Sequence, residues 1–136
     1  MMREFVVHGE PQGKARARVV NGHAYTPEKT LNYEDAIRWS YMDKHRDAPM
    51  FAQGVPVSVT IYADMRIPTS AAHCKQDAMR RQETRPTKKP DWDNIGKVIC
   101  DALNGLAWYD DTQVVEAYVI KRYADIPMVR VMIDEA

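Results

Sequence analysis

The most regular alternation of apolar and polar residues runs from Val55 to Met65, where every second residue is apolar. A period of two is typical of a strand that buries one face. From about Asp93 to Asn104 the apolar residues recur three and four positions apart, which indicates a helix with one apolar face. Gly105 follows Asn104, and such a pair commonly ends a helix in the left-handed conformation. The pattern therefore predicts both strands and helices.

Shorter signals predict the other elements. Asn21 and Gly22 separate two short apolar runs, which predicts a hairpin with a type I′ turn. Thr26 followed by Pro27 predicts a helix, capped by Thr26, that extends to about residue 47. The remaining predicted elements are a first strand at 3–9, a polar helix at 70–83, an irregular basic loop at 84–90 and two last strands at 113–122 and 127–133. Together they predict an α+β (mixed α/β) fold, in which a small mixed β-sheet packs with two to three helices.

The length of 136 residues fits one domain, which we expect to span residues 1–136. A domain of this size buries roughly two-thirds of its unfolded surface, so its core needs no disulfide or metal. Cys74 and Cys100 form no C-x-x-C pair, and no apolar run approaches the roughly 20 residues of a membrane span. The first residues also lack the apolar core of a secretion signal. We expect a cytoplasmic protein with reduced thiols and no membrane contact.

Charge is divided unevenly along the chain, although its net value is zero. Residues 1–90 carry 15 basic and 10 acidic residues, a net of +5, and residues 91–136 carry 4 basic and 9 acidic residues, a net of −5. A net charge of zero argues mildly against a nucleic-acid-binding protein. The uneven division favours one, because a nuclease needs acids at its chemistry and cations around it to hold phosphates.

Five aspartates and one lysine, Lys97, fall between residues 91 and 111. On the predicted helix, Asp93, Lys97 and Asp101 share one polar face at four-residue spacing. Clustered carboxylates repel one another unless a cation neutralises them, and hard oxygen ligands suit Mg²⁺ or Mn²⁺. The acidic pair Asp110 and Asp111 comes just before a predicted strand, so the chain could return this pair to the start of the helix.

An alternative interpretation explains each acid separately. Asp93 would cap the helix, Lys97 and Asp101 would form a surface ion pair, and the second acidic pair would form a turn. This interpretation gives no reason for Asp91 to stand beside Asp93, or for a second acidic pair so soon after the helix. We therefore prefer a metal site.

Two basic segments precede the acids. One holds Lys14, Arg16 and Arg18 in a loop, and the other places Arg85, Lys88 and Lys89 just before Asp91. As phosphate contacts, these cations would hold DNA by charge without reading its sequence. The alternative is a pair of solvated loops, which is weaker for the second segment because it leads directly into the acids.

Three aromatic residues and one glycine lie close to the acids. We expect Trp92 to pack beneath the site instead of stacking on a base. We expect Trp108 and Tyr109 to lie in the core, and the alternative is that they wedge a junction open. Gly96 within the helix costs roughly 1 kcal/mol relative to alanine. It is either a tolerated surface position or a place where a DNA backbone approaches closely.

Three blocks around the aspartates occur in a recognisable order. They are K-P-D-W-D-N-I-G-K at 89–97, D-A-L-N-G at 101–105 and D-D-T-Q-V at 110–114. In this order they resemble the RusA family of Holliday-junction resolvases (crossover junction endodeoxyribonucleases), which is common in phages and prophages. The segment G-E-P-Q-G-K-A-R-A-R at 9–18 is similar to the opening of the same family. The resemblance extends over about residues 4–133 and is strongest from 88 to 115.

The resemblance implies a Mg²⁺-dependent, structure-selective endodeoxyribonuclease that resolves Holliday junctions by paired nicks in DNA recombination and repair, with Mn²⁺ able to replace Mg²⁺. It implies that Asp91, Asp93 and Asp111 bind the metal and that Lys97 assists catalysis. Asp110 is a further candidate ligand, because one sequence does not separate the two acids of that pair. A four-way junction is nearly two-fold symmetric, so a homodimer with two sites is expected.

Two other functions share some of these features. A module that binds branched DNA without cutting would need the basic segments, but it would not need the intact acids. A metal phosphoesterase acting on small nucleotides would need the acids, but it has little use for the basic segments. Cleavage of a labelled four-way junction, tested with Mg²⁺ and with EDTA, separates the three.

Overall fold

The computed structural model describes residues 2–136 and contains one main sheet with helices packed on it. In chain order the elements are β1 (Arg3–His8), β2 (Arg18–Val20), β3 (His23–Tyr25), α1 (Glu28–His45), β4 (Val57–Arg66), α2 (His73–Arg80), α3 (Trp92–Leu103), a 3₁₀ turn (Asp111–Gln113), β5 (Val114–Ala124) and β6 (Met128–Glu135). Over these residues the main sheet has the order β1-β6-β4-β5, in which β4 and β5 are parallel and the other neighbours are antiparallel. The predicted α+β fold with a mixed sheet is confirmed.

Strand β4 lies inside the sheet, and its alternation explains the core. Val57, Val59, Ile61 and Ala63 are buried on one face, and the residues between them are half-buried on the other. The buried face joins one apolar core with side chains of α1, α3, β1 and β6. The predicted strand is confirmed, although it begins two residues later than its first alternating valine.

Helix α3 packs on that core through the face predicted from its apolar spacing. Its five buried residues are Ile95, Val98, Ile99, Ala102 and Leu103. Gly105 follows the helix with φ +77°, the left-handed conformation that glycine adopts without strain. Gly96 is not a plain surface position, and the close approach of a DNA backbone to it stays a prediction. It is half-buried, and a Cβ placed there would lie 3.5 Å from Cγ2 of Val119, which is ordinary contact with β5.

The predicted hairpin is confirmed, but the predicted cap of α1 is wrong. Asn21 and Gly22 between β2 and β3 have φ of 51° and 78°, as a type I′ turn requires. Pro27 occupies the cap position of α1, with ψ 144°, and within residues 2–136 no side chain caps this helix. Thr26 precedes the cap because Pro27 is still extended. Helix α1 ends at His45, two residues before the predicted end.

The predicted polar helix at 70–83 is shorter in the structure, where α2 spans His73–Arg80. The segment that follows is irregular, as predicted, and its side chains contact β5. Gln82 bonds to both backbone groups of Tyr123, and the Arg85 guanidinium donates to the carbonyl oxygen of Lys121. Within residues 2–136, no helix is long and apolar enough to cross a membrane.

Candidate functional site

The start of α3 presents two exposed carboxylates. Asp91 occupies the N-cap position with extended backbone, but among the described residues its side chain makes no capping hydrogen bond. Asp93 lies in the first turn, as predicted. Lys97, one turn further on, approaches Asp93 only to 4.0 Å, and both side chains are largely exposed. The helix dipole favours negative charge at this end. These carboxylates are not used to hold the fold, so they are available to a ligand.

The two residues of the second acidic pair, Asp110 and Asp111, have different roles in the fold. Asp110 caps the 3₁₀ turn, because its carboxylate accepts from the Thr112 amide at 3.2 Å and Gln113 completes the capping box. Gln113 also donates to the carbonyl oxygens of Ala52 and Val55, which anchors the turn to the chain before β4. Asp110 therefore has a structural task, which is consistent with its secondary place in the predicted site.

Asp111 is held against the core side of the turn. Its Oδ1 accepts from the indole Nε1 of Trp108 at 2.8 Å, and Trp108 is fully buried. Partial burial raises the pKa of Asp111, and the negative charges of Asp101 and Asp110 raise it further, whereas the Trp108 hydrogen bond opposes the shift. The returning chain therefore brings Asp111 to α3 beside Asp101. Along the helix, Asp101 lies two turns, roughly 12 Å, beyond Asp93.

Lys14 joins this second acidic group to the rest of the fold. Its ammonium lies 2.9 Å from Glu34 Oε1 and 3.1 Å from Asp101 Oδ2. Burial lowers the pKa of Lys14, but the hydrogen bonds and charges of Glu34 and Asp101 outweigh this and raise it above the ordinary value. Lys14 was predicted as a phosphate contact, but its charge is satisfied within the protein. Sequence reasoning assigned no role in the site to Glu34 or Asp101, although Asp101 shares the polar face of α3.

A cleft of about 620 Å³ separates the loop at 11–16 from the start of α3. Its charged lining residues are Lys14, Arg16, Lys29, Lys89 and Asp91. The two walls fit closely, because a Cβ on Gly13 would lie 2.9 Å from the Asn94 Cβ, and the Lys14 amide donates to the Asn94 carbonyl at 2.9 Å. The cleft therefore brings the N-terminal basic loop and the basic residue before α3 to one carboxylate, Asp91.

Of the other predicted cations, Arg16 and Lys89 line the cleft. Arg16, Arg18, Lys88 and Lys89 are exposed, as phosphate contacts must be. Arg85 is also exposed, but its guanidinium is engaged with β5. Arg16 lines the cleft, whereas Arg18, which begins the β2–β3 hairpin, is not among the lining residues.

Two predictions for the aromatic residues are wrong. Trp92 is 65% exposed, because the first turn of α3 extends beyond the part of the helix that packs on the sheet. Tyr109 is 53% exposed, whereas Trp108 beside it is in the core as predicted. Trp92 thus stands exposed between Asp91 and Asp93, where a flat apolar ring is open to a ligand.

The predicted metal ligands do not converge in the structure. Within residues 2–136 there is no group of three His, Cys, Asp or Glu side chains arranged to hold a metal ion. The donor chemistry nevertheless fits a hard divalent cation, because every predicted ligand is a carboxylate and Asp111 is destabilised by like charges that a cation would offset. The assignment of Asp91, Asp93 and Asp111 to one metal site stays a prediction.

The site combines exposed carboxylates at a helix start, a cationic cleft beside one of them and a second acidic group further along the same helix. These features are expected of an enzyme that acts on nucleic-acid phosphodiesters. Residues 8–134 match the family model described as Endodeoxyribonuclease RusA. The chain therefore belongs to the RusA family of endodeoxyribonucleases. It is also 36% identical over 136 residues to a Bacillus subtilis (strain 168) protein named "Uncharacterized protein YqaN", an alignment that covers 97% of this chain and 95% of the relative.

Proposed function

We propose that this protein is a Mg²⁺-dependent, structure-selective endodeoxyribonuclease that resolves Holliday junctions by paired nicks in DNA recombination and repair. Membership of the RusA family supports the nuclease activity. The observation that carries the proposal is that Asp91 and Asp93 present unused carboxylates, one of them at the wall of a cleft rich in cations. Such carboxylates are costly beside DNA unless a metal ion stands between them and the phosphate.

Asp91, Asp93 and Asp111 would hold the metal, which is Mg²⁺ or in its place Mn²⁺, with Asp110 as the further candidate ligand. The bound metal supplies Lewis-acid chemistry, in which a phosphate oxygen is polarised and the pKa of a bound water is lowered. The Trp108 indole holds one oxygen of Asp111, which fixes the direction of the other. Asp110 keeps the turn in shape through its cap.

Lys97 would neutralise charge that develops on the phosphate. Its loose 4.0 Å approach to Asp93 leaves the ammonium exposed and able to meet a second anion. Neither group is buried, so their attraction in the free protein is weak. Lys97 can therefore leave Asp93 for a phosphate without a large cost.

DNA would be held by charge along the cleft and its rim. Arg16, Arg18, Lys88 and Lys89 are the exposed cations that would contact phosphates, and Arg85 stands with them. Lys14 holds in place the loop that carries Arg16, because its ion pair with Asp101 and its backbone hydrogen bond to Asn94 fix that loop against α3. The proposed acting form is a homodimer in the cytoplasm, since paired nicks on a nearly two-fold junction call for two related sites.

The test uses the purified protein and four labelled substrates: a four-way junction, a duplex, a single strand and a mononucleotide ester. We expect symmetrical nicks in the junction with Mg²⁺ or Mn²⁺, and no cutting with EDTA. Junction binding without cutting in either metal would contradict the proposal in favour of a binding module. Hydrolysis of the mononucleotide ester at a rate comparable to junction cutting would favour a small-nucleotide phosphoesterase.

A further inference from the structure

An exposed indole stands between two of the predicted metal ligands. Trp92 is the first residue of α3, lies between Asp91 and Asp93 in the chain, and is 65% exposed. Consecutive Cα atoms are about 3.8 Å apart, so the indole is attached within one residue of both carboxylates. Most of its apolar surface is left in water, which is unfavourable in the free protein. The group that covers this ring when substrate binds is therefore of interest.

The space next to the indole along the helix is open. In a helix the Cα–Cβ bond tilts toward the N-terminus, so a side chain at residue 96, one turn further on, would point back toward Trp92. That residue is glycine, and the Trp92 ring does not come within 4 Å of a Cβ placed on Gly96. The absence of a side chain at Gly96 therefore leaves room for a flat group to lie against the indole.

The neighbouring charges indicate which flat group fits. A protein surface that covered the indole would also take Asp91 and Asp93 out of water, which is costly for carboxylates without close partners. A nucleotide avoids this cost, because its base and its phosphate are separate groups joined by one sugar. The phosphate can meet a metal ion held by the carboxylates while the base meets the ring. Every base has a flat face, so such stacking tolerates any sequence.

The availability of a base differs between duplex and branched DNA. Within a continuous duplex each base is stacked on both faces, and removing it from the stack costs free energy. The cost is least for a base that is unpaired or already unstacked. At a four-way branch point the stack of each arm is interrupted, so a base there can turn to a protein ring more easily. An aromatic ring beside the scissile phosphate would therefore favour branched DNA.

We propose that Trp92 stacks on a nucleobase at the branch point, next to the scissile phosphate, and that this contact determines the preference for branched over duplex DNA. The inference rests on the proposed function, since it concerns the substrate of the same site. The stacked ring reads the shape of the DNA, whereas the exposed cations Arg16 and Lys89 attract its phosphates by charge. The two contributions can therefore be separated by experiment.

The first experiment follows the fluorescence of Trp92. The chain has three tryptophans, of which Trp108 is buried and Trp39, on α1, is 65% exposed like Trp92. In Trp39→Phe, a four-way junction added in EDTA should quench most of the emission from the exposed indole, because stacking on a base quenches it. Trp92→Phe, which keeps Trp39, is the matched control and should change little. Binding is followed separately by the anisotropy of a labelled junction. Equal quenching of the two proteins, or no quenching of Trp39→Phe with junction bound, would overturn the proposal.

The second experiment measures affinity. Trp92→Ala should bind the junction about tenfold more weakly, the usual size of one stacking contact, and should bind duplex as wild type does. Trp92→Phe should keep most of the junction affinity. The salt slope should stay unchanged, because the ring carries no charge, and so should urea unfolding, because the ring is exposed. Trp39→Ala should match wild type throughout. An equal loss of affinity for junction and duplex would contradict the proposal.

The third experiment removes the base instead of the ring. Junctions are prepared with a single abasic site at each nucleotide around the branch point in turn. At one position next to the nick, wild type should lose about tenfold in affinity, while Trp92→Ala should lose nothing further. That position identifies the stacked base. Losses that add independently at every position would show that the ring and the bases do not meet.

Nicking assays separate the stacking contact from the proposed function. If wild type binds the junction with quenching of Trp92 but does not nick it with Mg²⁺, the proposed function fails and the stacking contact stands. If wild type nicks the junction, but neither Trp92→Ala nor an abasic site changes affinity, the stacking contact fails and the function stands. Absence of any junction binding would reject both.

Discussion

The two ends of helix α3 carry similar acids in opposite situations. At its start, Asp91 and Asp93 are exposed, and a loose 4.0 Å approach from Lys97 is the ion pair that the structure gives them. In its last turns, Asp101 is paired with Lys14 and stands beside Asp111, whose oxygen is held by a buried indole. The second group is bound into the fold, while the first stays open. A carboxylate left without a close cation at a cationic cleft therefore indicates function, whereas a carboxylate paired with a cation, as Asp101 is with Lys14, indicates a structural role.

The largest effect should come from the unpaired acids. Asp93→Asn should reduce the single-turnover rate of junction nicking by on the order of 100-fold or more, as expected when a group that stabilises charge in the transition state is lost. Junction binding should be unchanged or tighter, because a negative charge facing phosphate is removed. Asp43→Asn, an exposed acid on α1, is the control. Nicking by Asp93→Asn at the wild-type rate would show that the start of α3 is not catalytic.

The second acidic pair offers an internal comparison. At saturating Mg²⁺, Asp111→Asn should lower turnover more than Asp110→Asn does, because asparagine can still cap the 3₁₀ turn. Asp110→Ala should instead lower the free energy of unfolding by about 1 kcal/mol, the usual value of a lost cap. Turnover rates and urea denaturation measure the two effects. A greater loss of turnover from Asp110→Asn would reverse the assignment.

The exposed cations of the N-terminal loop, Arg16 and Arg18, should strengthen the binding of junction DNA. In the Arg16→Ala/Arg18→Ala double variant, the slope of log affinity against log salt should fall by about one unit for each lost contact. Cutting at saturating DNA should be affected less than affinity, because the acids are untouched. An unchanged slope would mean that this loop does not meet DNA.

Lys14 should behave differently from its neighbours in the loop. Lys14→Met leaves Glu34, which is 5% exposed, with the longer 3.5 Å ion pair to Arg38 but without its 2.9 Å partner, so the free energy of unfolding should fall by about 1–3 kcal/mol. The salt slope of junction binding should stay unchanged. Lys88→Met should show the reverse, with unchanged stability and a smaller slope. If Lys14→Met reduced the slope and spared stability, Lys14 would belong with the phosphate contacts after all.

The smallest effect concerns the titration of Asp111. Its pKa is raised in the folded protein by burial first and by Asp101 and Asp110 second. The folded state therefore keeps this proton more tightly, and stability falls as pH rises from the ordinary aspartate pKa through the raised one. Asp111→Asn should remove that loss, giving a slightly more stable protein above this pH window without metal. The check is urea denaturation of both proteins from pH 3 to 7; identical curves would contradict the shift.

The elements that pack one face along their whole length could be predicted from the sequence. Strand β4 is of this kind, and so is helix α3 from Ile95 onward, since periodic burial leaves a periodic pattern. The hairpin at Asn21 was predictable because its turn needs residues that tolerate positive φ. The error at Thr26 was a shift of one residue, which arose because Pro27 is extended and itself takes the cap position.

The site was less predictable, because its contacts join distant parts of the chain. The apolar spacing of α3 continues back to Trp92, yet this residue is exposed. The spacing of apolar residues does not show where the sheet beneath a helix ends, so this exposure could not be predicted. The link from Lys14 to Glu34 and Asp101 depends on the packing of a loop against two helices. The four-residue spacing of Asp93, Lys97 and Asp101 showed that these side chains share one face of the helix. It did not show that Asp101 is paired with Lys14 while Asp93 stays exposed.

The most direct test of the account is metal binding by the protein alone. Mn²⁺ titration, followed by the loss of the free-ion electron paramagnetic resonance signal, compares wild type with Asp91→Asn/Asp93→Asn and with the Asp43→Asn control. We predict that wild type and the control bind Mn²⁺ with the same affinity, and that Mg²⁺ competes. The double variant should lose most of this binding while its unfolding free energy stays unchanged. Mn²⁺ binding by the double variant as tight as that of wild type would contradict the claim that the open acids at the start of α3 form the metal centre.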